Sequence, residues 1–179
     1  MEETVIRSHR IHEGRVVRLR VDEIRLTDGT MARREVVEHG PAVCVVAIDD
    51  RDRVLLVRQH RLPAGRDLVE IPAGSLNEGE DPLFGAQREL AEETGFAASR
   101  WNALGGFFAA PGYCTEYLHL FLARDLRPES RPADEDERIE LVAMPFAEAV
   151  DAVARGTFPD AKTIAGLLAA HLYVTRHSR

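Results

Sequence analysis

One stretch of 23 residues, Gly74 to Phe96, constrains this chain more than any other part of it. It reads Gly-Ser-Leu-Asn-Glu-Gly-Glu-Asp-Pro-Leu-Phe-Gly-Ala-Gln-Arg-Glu-Leu-Ala-Glu-Glu-Thr-Gly-Phe. Asp81-Pro82 marks a helix start, because an aspartate accepts the first free amides and proline suits the first helical position. Gly95 marks its end, as a residue that takes the left-handed cap without strain. A glycine-bearing loop therefore runs from Ala73 to Gly79 into a helix closed by Gly95.

The acidic residues of that helix carry the chemistry. Glu89 and Glu93 stand one turn apart and share a face, with Glu92 alongside. Leu83, Ala86 and Leu90 fall on a different arc and can pack against a sheet. Neighbouring carboxylates repel by roughly a few tenths of a kcal/mol per pair, so the group is either a plain solvated face or a cation site. Arg88, beside Glu89 and four residues before Glu92, can orient the carboxylates. Gly85, one turn before Glu89, is expected to leave room for a ligand, and the loop glycines permit close backbone approach. Hard oxygen donors of this kind suit Mg²⁺ or Mn²⁺, which also take phosphate oxygens.

The net charge of −7 bears on that choice. With 30 acidic and 23 basic residues and no basic stripe, nucleic acid is not an expected partner. An acidic protein still binds an anionic substrate where bound cations invert the local field. The longest apolar run, Ala42–Ile48, is too short to cross a bilayer, and the acidic N-terminus lacks a signal layout. The cytoplasm is the expected location. Cys44, inside the apolar run, reads as core; Cys114 follows a Pro-Gly turn, and two cysteines at this length make no disulfide framework. None of the seven histidines has a ligand spacing; His60, His119 and His171 are expected on strand or helix surfaces.

The rest of the chain alternates strands with a few helices. Val16–Leu26 and Arg34–Glu38 flank the turn Thr27-Asp28-Gly29-Thr30 and read as a hairpin. Further strands are expected at Ala42–Ile48, Val54–Val57, Leu68–Ile71, Trp101–Phe108, Tyr117–Ala123 and Glu140–Met144. Pro145–Arg155 and Lys162–Tyr173 read as helices. The fold class is α/β (α+β) with a mixed sheet, divided into an N-terminal β-region, 1–38, and a main domain, 39–179.

The segment matches, at every defining position, the Nudix box: Gly, five residues, Glu, seven residues, Arg-Glu, apolar, any, Glu-Glu, any, Gly, apolar. The chain thus resembles the Nudix hydrolases, metal-dependent enzymes built as an α/β/α sandwich. The resemblance implies that Glu89, Glu92 and Glu93, with the carbonyl of Ala73, hold two or three Mg²⁺ or Mn²⁺ ions. Gly74, Glu80, Arg88 and Gly95 would be structural in the box, Arg88 orienting the glutamates and Glu80 bracing the loop.

Flanking residues resemble the ADP-ribose pyrophosphatase branch. Pro111, within Ala110-Pro111-Gly112-Tyr113-Cys114-Thr115-Glu116, lies fifteen residues after Phe96. By that likeness Pro111, Gly112 and Glu116 would meet the substrate, Arg61 the diphosphate, and Glu70 the nucleotide. The acidic run Asp134-Glu135-Asp136-Glu137 resembles a loop that closes over the site, with Glu135 or Glu137 as base alongside the box glutamates Glu92 and Glu93. The implied reaction is hydrolysis of ADP-ribose to AMP and ribose 5-phosphate by a homodimer whose N-terminal region swaps between subunits. Other nucleoside diphosphates such as GDP-mannose or FAD, and a non-catalytic ADP-ribose-binding module, are the alternatives.

Overall fold

The structure, a computed structural model, describes residues 2–129 and 138–177. The chain divides into two compact units: the segment up to Pro41 with Phe108–Tyr117, and Ala42–Phe107 with the chain from Leu118 onward.

The first unit is a three-stranded antiparallel sheet in the order β1 (Thr4–Glu13), β2 (Arg18–Arg25), β3 (Met31–Glu38). The turn between β2 and β3 falls where the Asp-Gly signal put it. Gly29 takes a φ of 88°, a region open to glycine, and the Thr30 amide donates to Asp28 at 2.9 Å. The hairpin reading missed β1, whose sequence TVIRSHRIHE is exposed almost throughout. A strand that buries neither face shows no clean apolar alternation to read. Val37 bridges Cys114, tying the Phe108–Tyr117 segment to β3.

The second unit is built on a mixed sheet in the order β10 (Glu140–Pro145), β5 (Arg53–Arg61), β4 (Ala42–Ile48), β9 (Tyr117–Pro128), β8 (Phe96–Phe108). Short strands β6 (Arg66–Glu70) and β7 (Ala73–Ser75) pair with β5 and β4. Every residue of β4 is buried, which explains its unbroken apolar sequence. Its odd-numbered residues Val43, Val45 and Ala47 pack with Ala86 and Leu90 of α1 (Pro82–Thr94). Its even-numbered residues pack with Ala149 of α2 (Phe146–Ala154) and Leu167 of α3 (Ala161–His177). Helices thus cover both faces, the α/β/α layering expected of the sequence. Among the described residues no helix is long and apolar enough to cross a membrane.

Helix α1 keeps its sequence-derived limits for the expected reasons. Asp81 accepts the amides of Leu83 and Phe84 at 2.9 and 3.4 Å, and Gly95, at φ 73°, closes onto the Ala91 carbonyl at 3.0 Å. On the opposite face α3 comes unusually close to the sheet at Gly166, where a Cβ would lie 2.7 Å from Ile71 and 3.2 Å from Val46. The first turn of α3 is thereby held beside the end of β6, just ahead of the glycine-bearing loop.

Candidate active site

The apolar arc of α1 turns its acidic face toward β7. Glu89 and Glu93 are only 9 % and 8 % exposed, so the plain solvated-face reading does not describe them. Burying carboxylates is costly unless each finds donors. Glu93 accepts the Ala73 amide at 3.0 Å. The Glu89 carboxylate lies over Gly74, in the space that a Cβ there would occupy: an alanine carbon would stand 2.1 Å from it. Gly74 is needed for that approach.

Arg88 distributes its guanidinium among the acids. Its Nη1 donates to Glu89 at 2.6 Å and to Glu92 at 3.1 Å. Its Nε and Nη2 both reach Glu80 at 3.0 Å, and Nη2 also reaches the Ser75 carbonyl at 3.1 Å. Glu80 in turn accepts the Asn77 amide at 2.9 Å, tying the loop to the helix. The Arg88 hydrogen bond is the main reason the Glu80 carboxyl is held down to about 2, and the guanidinium is raised above its usual value by the same contact. One expectation fails here. The space beside Gly85 is filled by Leu76, whose side chain a Cβ would meet at 2.2 Å, so this glycine accommodates the loop and not a ligand.

Next to this cluster lies a second one. Glu70, 1 % exposed, accepts Arg61 Nε at 3.0 Å and Nη2 at 2.8 Å, and also the Lys162 ammonium. Burial pushes its carboxyl up, but the hydrogen bonds and charges of Arg61 and Lys162 outweigh that and leave it below the usual carboxylate range. Arg61 is raised by its bond to Glu70, and Glu93 is among the charges acting on it. Lys162 is also 3.1 Å from Asp160, whose carboxylate accepts the amide and hydroxyl of Thr163 at 2.9 and 2.5 Å. The Thr163 oxygen then takes the Ile71 amide at 3.0 Å. The sequence reading found Arg61 and Glu70 but passed over Asp160, Lys162 and Thr163. Asp-x-Lys-Thr at a helix start is a capping signal, and nothing in it points to a strand 92 residues away.

Pro111, Gly112 and Glu116 belong to the N-terminal unit. There the Ala110 carbonyl accepts the amides of Tyr113 and Cys114 at 3.1 and 2.9 Å, and Glu116 lies 3.6 Å from His39. Glu135 and Glu137 lie outside the described residues. A cavity of about 520 Å³ opens at the Ile48 end of the sheet, away from β7, and includes none of these side chains. Its Arg53 and Arg100 are already paired with Asp49 and Asp125.

Among the described residues no three His, Cys, Asp or Glu side chains converge as a ready-made metal cage. Mg²⁺ seldom uses one: it keeps waters and binds through one or two carboxylates plus substrate phosphates. Two buried carboxylates against the Ala73-Gly74 backbone, with Glu92 alongside, are a donor set that fits such an ion.

The chain belongs to the NUDIX domain family, whose model matches residues 38–167. It is 41 % identical over 173 residues to an ADP-ribose pyrophosphatase of Mycobacterium tuberculosis, covering 95 % of this chain and 84 % of that protein. It is 39 % identical over 165 residues to a methanol dehydrogenase activator of Bacillus methanolicus, covering 91 % and 89 %. A crystal structure of an ADP compounds hydrolase matches with a TM-score of 0.90 at 25 % identity, covering 100 % of this chain and 97 % of that one.

Proposed function

We propose that the protein is a pyrophosphohydrolase that splits ADP-ribose into AMP and ribose 5-phosphate with the help of Mg²⁺ or Mn²⁺. The observation that carries this reading is the pair of buried carboxylates, Glu89 and Glu93, brought against Ala73 and Gly74. The names of its relatives supply the substrate class. Glu89, Glu92, Glu93 and the Ala73 carbonyl would hold the ions, two or three of them. When bound, they supply neutralisation of the diphosphate and a lowered pKa for the attacking water. Arg88 keeps the glutamates apart and oriented, and Glu80 holds Arg88 and the loop. Arg61 has its Nη1 outside the pair with Glu70 and can donate to a diphosphate oxygen, a role its planar fork suits.

The attack joins water oxygen to one phosphorus and breaks the P–O bond to the bridging oxygen. The water proton passes to a carboxylate, Glu135 or Glu137 in our reading, with a box glutamate as the alternative. Pro111, Gly112 and Glu116 are assigned to substrate recognition on sequence likeness. We further propose a homodimer: Val5, Ile6, Ile11 and Met31 are exposed apolar residues of the N-terminal sheet, and a second copy would cover them. Sedimentation velocity tests this, and a monomer at micromolar concentration would end it.

The functional test is a panel of ADP-ribose, GDP-mannose, FAD and NADH with Mg²⁺, products read by chromatography. AMP from ADP-ribose as the preferred reaction supports the reading. Preference for another diphosphate would move the substrate, and no turnover at all would favour a binding module. Glu93→Gln should lower kcat by at least about 10²-fold with the fold intact. Near-full activity in that variant would dismiss Glu93 as a ligand.

A further inference from the structure

We propose that Lys162 is a positioning residue for the substrate's diphosphate, leaving Arg61 electropositive toward the anion by taking up part of the charge of the buried Glu70 carboxylate. The inference rests on the hydrolytic reading above, in which Arg61 meets the diphosphate.

Arg61, Glu70, Lys162 and Asp160 form a chain of alternating charge. Glu70 Oε2 is shared by Arg61 Nη2 and Lys162 Nζ, and Lys162 continues to Asp160 at 3.1 Å. The four differ in access to solvent. The side chains of Glu70, Lys162 and Asp160 are 2 %, 14 % and 16 % exposed, and that of Arg61 is 38 % exposed. The chain therefore presents a guanidinium to the outside, with Nη1 uninvolved in the Glu70 bond.

A lone carboxylate bound to Arg61 through two nitrogens would cancel its charge. With Lys162 on the same oxygen, that carboxylate is already partly neutralised, and the excess positive potential falls on the exposed member. Asp160 limits this effect from the far side, and its charge is itself divided between Lys162, the Thr163 amide and the Thr163 hydroxyl. Removing the ammonium leaves the quartet with a net charge of −1 beside the anion's place. Removing the Asp160 charge leaves it at +1. The two changes are thus of opposite sign, although both act on the same structural clasp.

A field of this kind acts alike on bound substrate and on the transition state, so it belongs in KM and not in kcat. The test is steady-state hydrolysis of ADP-ribose at saturating Mg²⁺ by wild type, Lys162→Met, Lys162→Arg and Asp160→Asn, with a melting temperature for each. Lys162→Met is expected to raise KM about tenfold with kcat within about twofold, and Lys162→Arg to restore most of it. Asp160→Asn, in which asparagine still caps α3, is expected to lower KM by about threefold.

Should Lys162→Met melt earlier yet keep the wild-type KM, the lysine is a clasp only and the proposal is overturned. If Lys162→Met does not fold, Asp160→Asn decides: a KM that is unchanged or raised overturns the proposal as well. Absence of turnover by the wild type on any nucleoside diphosphate would instead bring down the hydrolytic reading, and the inference with it.

Discussion

Replacing Gly74 by alanine is a substitution of one methyl group whose consequence follows from the geometry beside it. The new Cβ would stand 2.1 Å from Glu89 Cδ and Oε1 and 2.3 Å from Oε2, where ordinary contact begins near 3.4 Å. Something must retreat by more than about 1 Å, and the mobile party is the end of the glutamate side chain, since Gly74 is paired through β7 to Val43. Retreat pulls the carboxylate from its 2.6 Å bond with Arg88 and out of the position proposed above for a metal-binding oxygen. Misplacement by about 1 Å typically costs about 10²-fold in rate, equivalent to about 2.7 kcal/mol of barrier. The cost in stability should be smaller, about 1 kcal/mol, because the clash falls on a flexible tip and not on backbone. The assay is kcat for ADP-ribose at saturating Mg²⁺, alongside a thermal melt. A folded Gly74→Ala protein with kcat within threefold of wild type would refute the reasoning. So would a collapse of the melt in step with activity, which would place the defect in folding.

Other outcomes follow from the same network. The Glu80 carboxyl is lowered from 4.5 to about 2, chiefly by Arg88. The unfolded chain therefore binds the proton first as pH falls, and the stabilisation is full above 4.5 and lost between there and about 2. The ceiling is ~3 kcal/mol, about 1–2 after allowance for solvent at a partly exposed site. Melts of the metal-free protein should lose that amount across this window, and Glu80→Gln should flatten the slope. Thr163→Val leaves the buried Ile71 amide without its 3.0 Å partner, at a cost of about 1–3 kcal/mol. Differential scanning calorimetry should register a fall of about 3–10 °C. Arg88→Lys replaces a fork that serves Glu80, Glu89, Glu92 and Ser75 at once by a single ammonium. Activity should drop at least tenfold in the kcat assay, and an unimpaired lysine variant would show that the fork is unimportant.

The sequence disclosed some parts of this structure and hid others for definable reasons. Helix α1 was legible to the residue because its caps are local: Asp81, Pro82 and Gly95 each act within a turn of themselves. β4 was legible because burial on both faces leaves only apolar residues. β8 was expected from Trp101 and begins at Phe96, since the chain passes directly from the Gly95 cap into a strand. β1 escaped because it is an exposed strand joined to β2 by backbone pairing and polar side-chain contacts such as Ser8 to Asp22, none of which leaves an apolar pattern. Of the site, the carboxylates could be placed on one helix face by spacing, but their burial depends on β7, which the helix pattern does not mention. The Gly85 expectation failed for the same reason: what fills the space beside a glycine is decided by Leu76, from a different turn of chain. The quartet around Glu70 joins β5, β6 and the start of α3, and a contact made by such distant segments leaves no mark in either one.

The placement of the two cysteines equips the molecule with internal clocks. Cys44 sits in the wholly buried central strand, and Cys114 lies partly exposed in the N-terminal unit; both are thiols. An alkylating reagent can reach Cys44 only when β4 leaves its neighbours, so its labelling rate reports the rarest opening of the sheet. Cys114 reports the looser motions of its own unit. One labelling time course, resolved by mass into the two peptides, would separate the lifetimes of the two units within a single native sample.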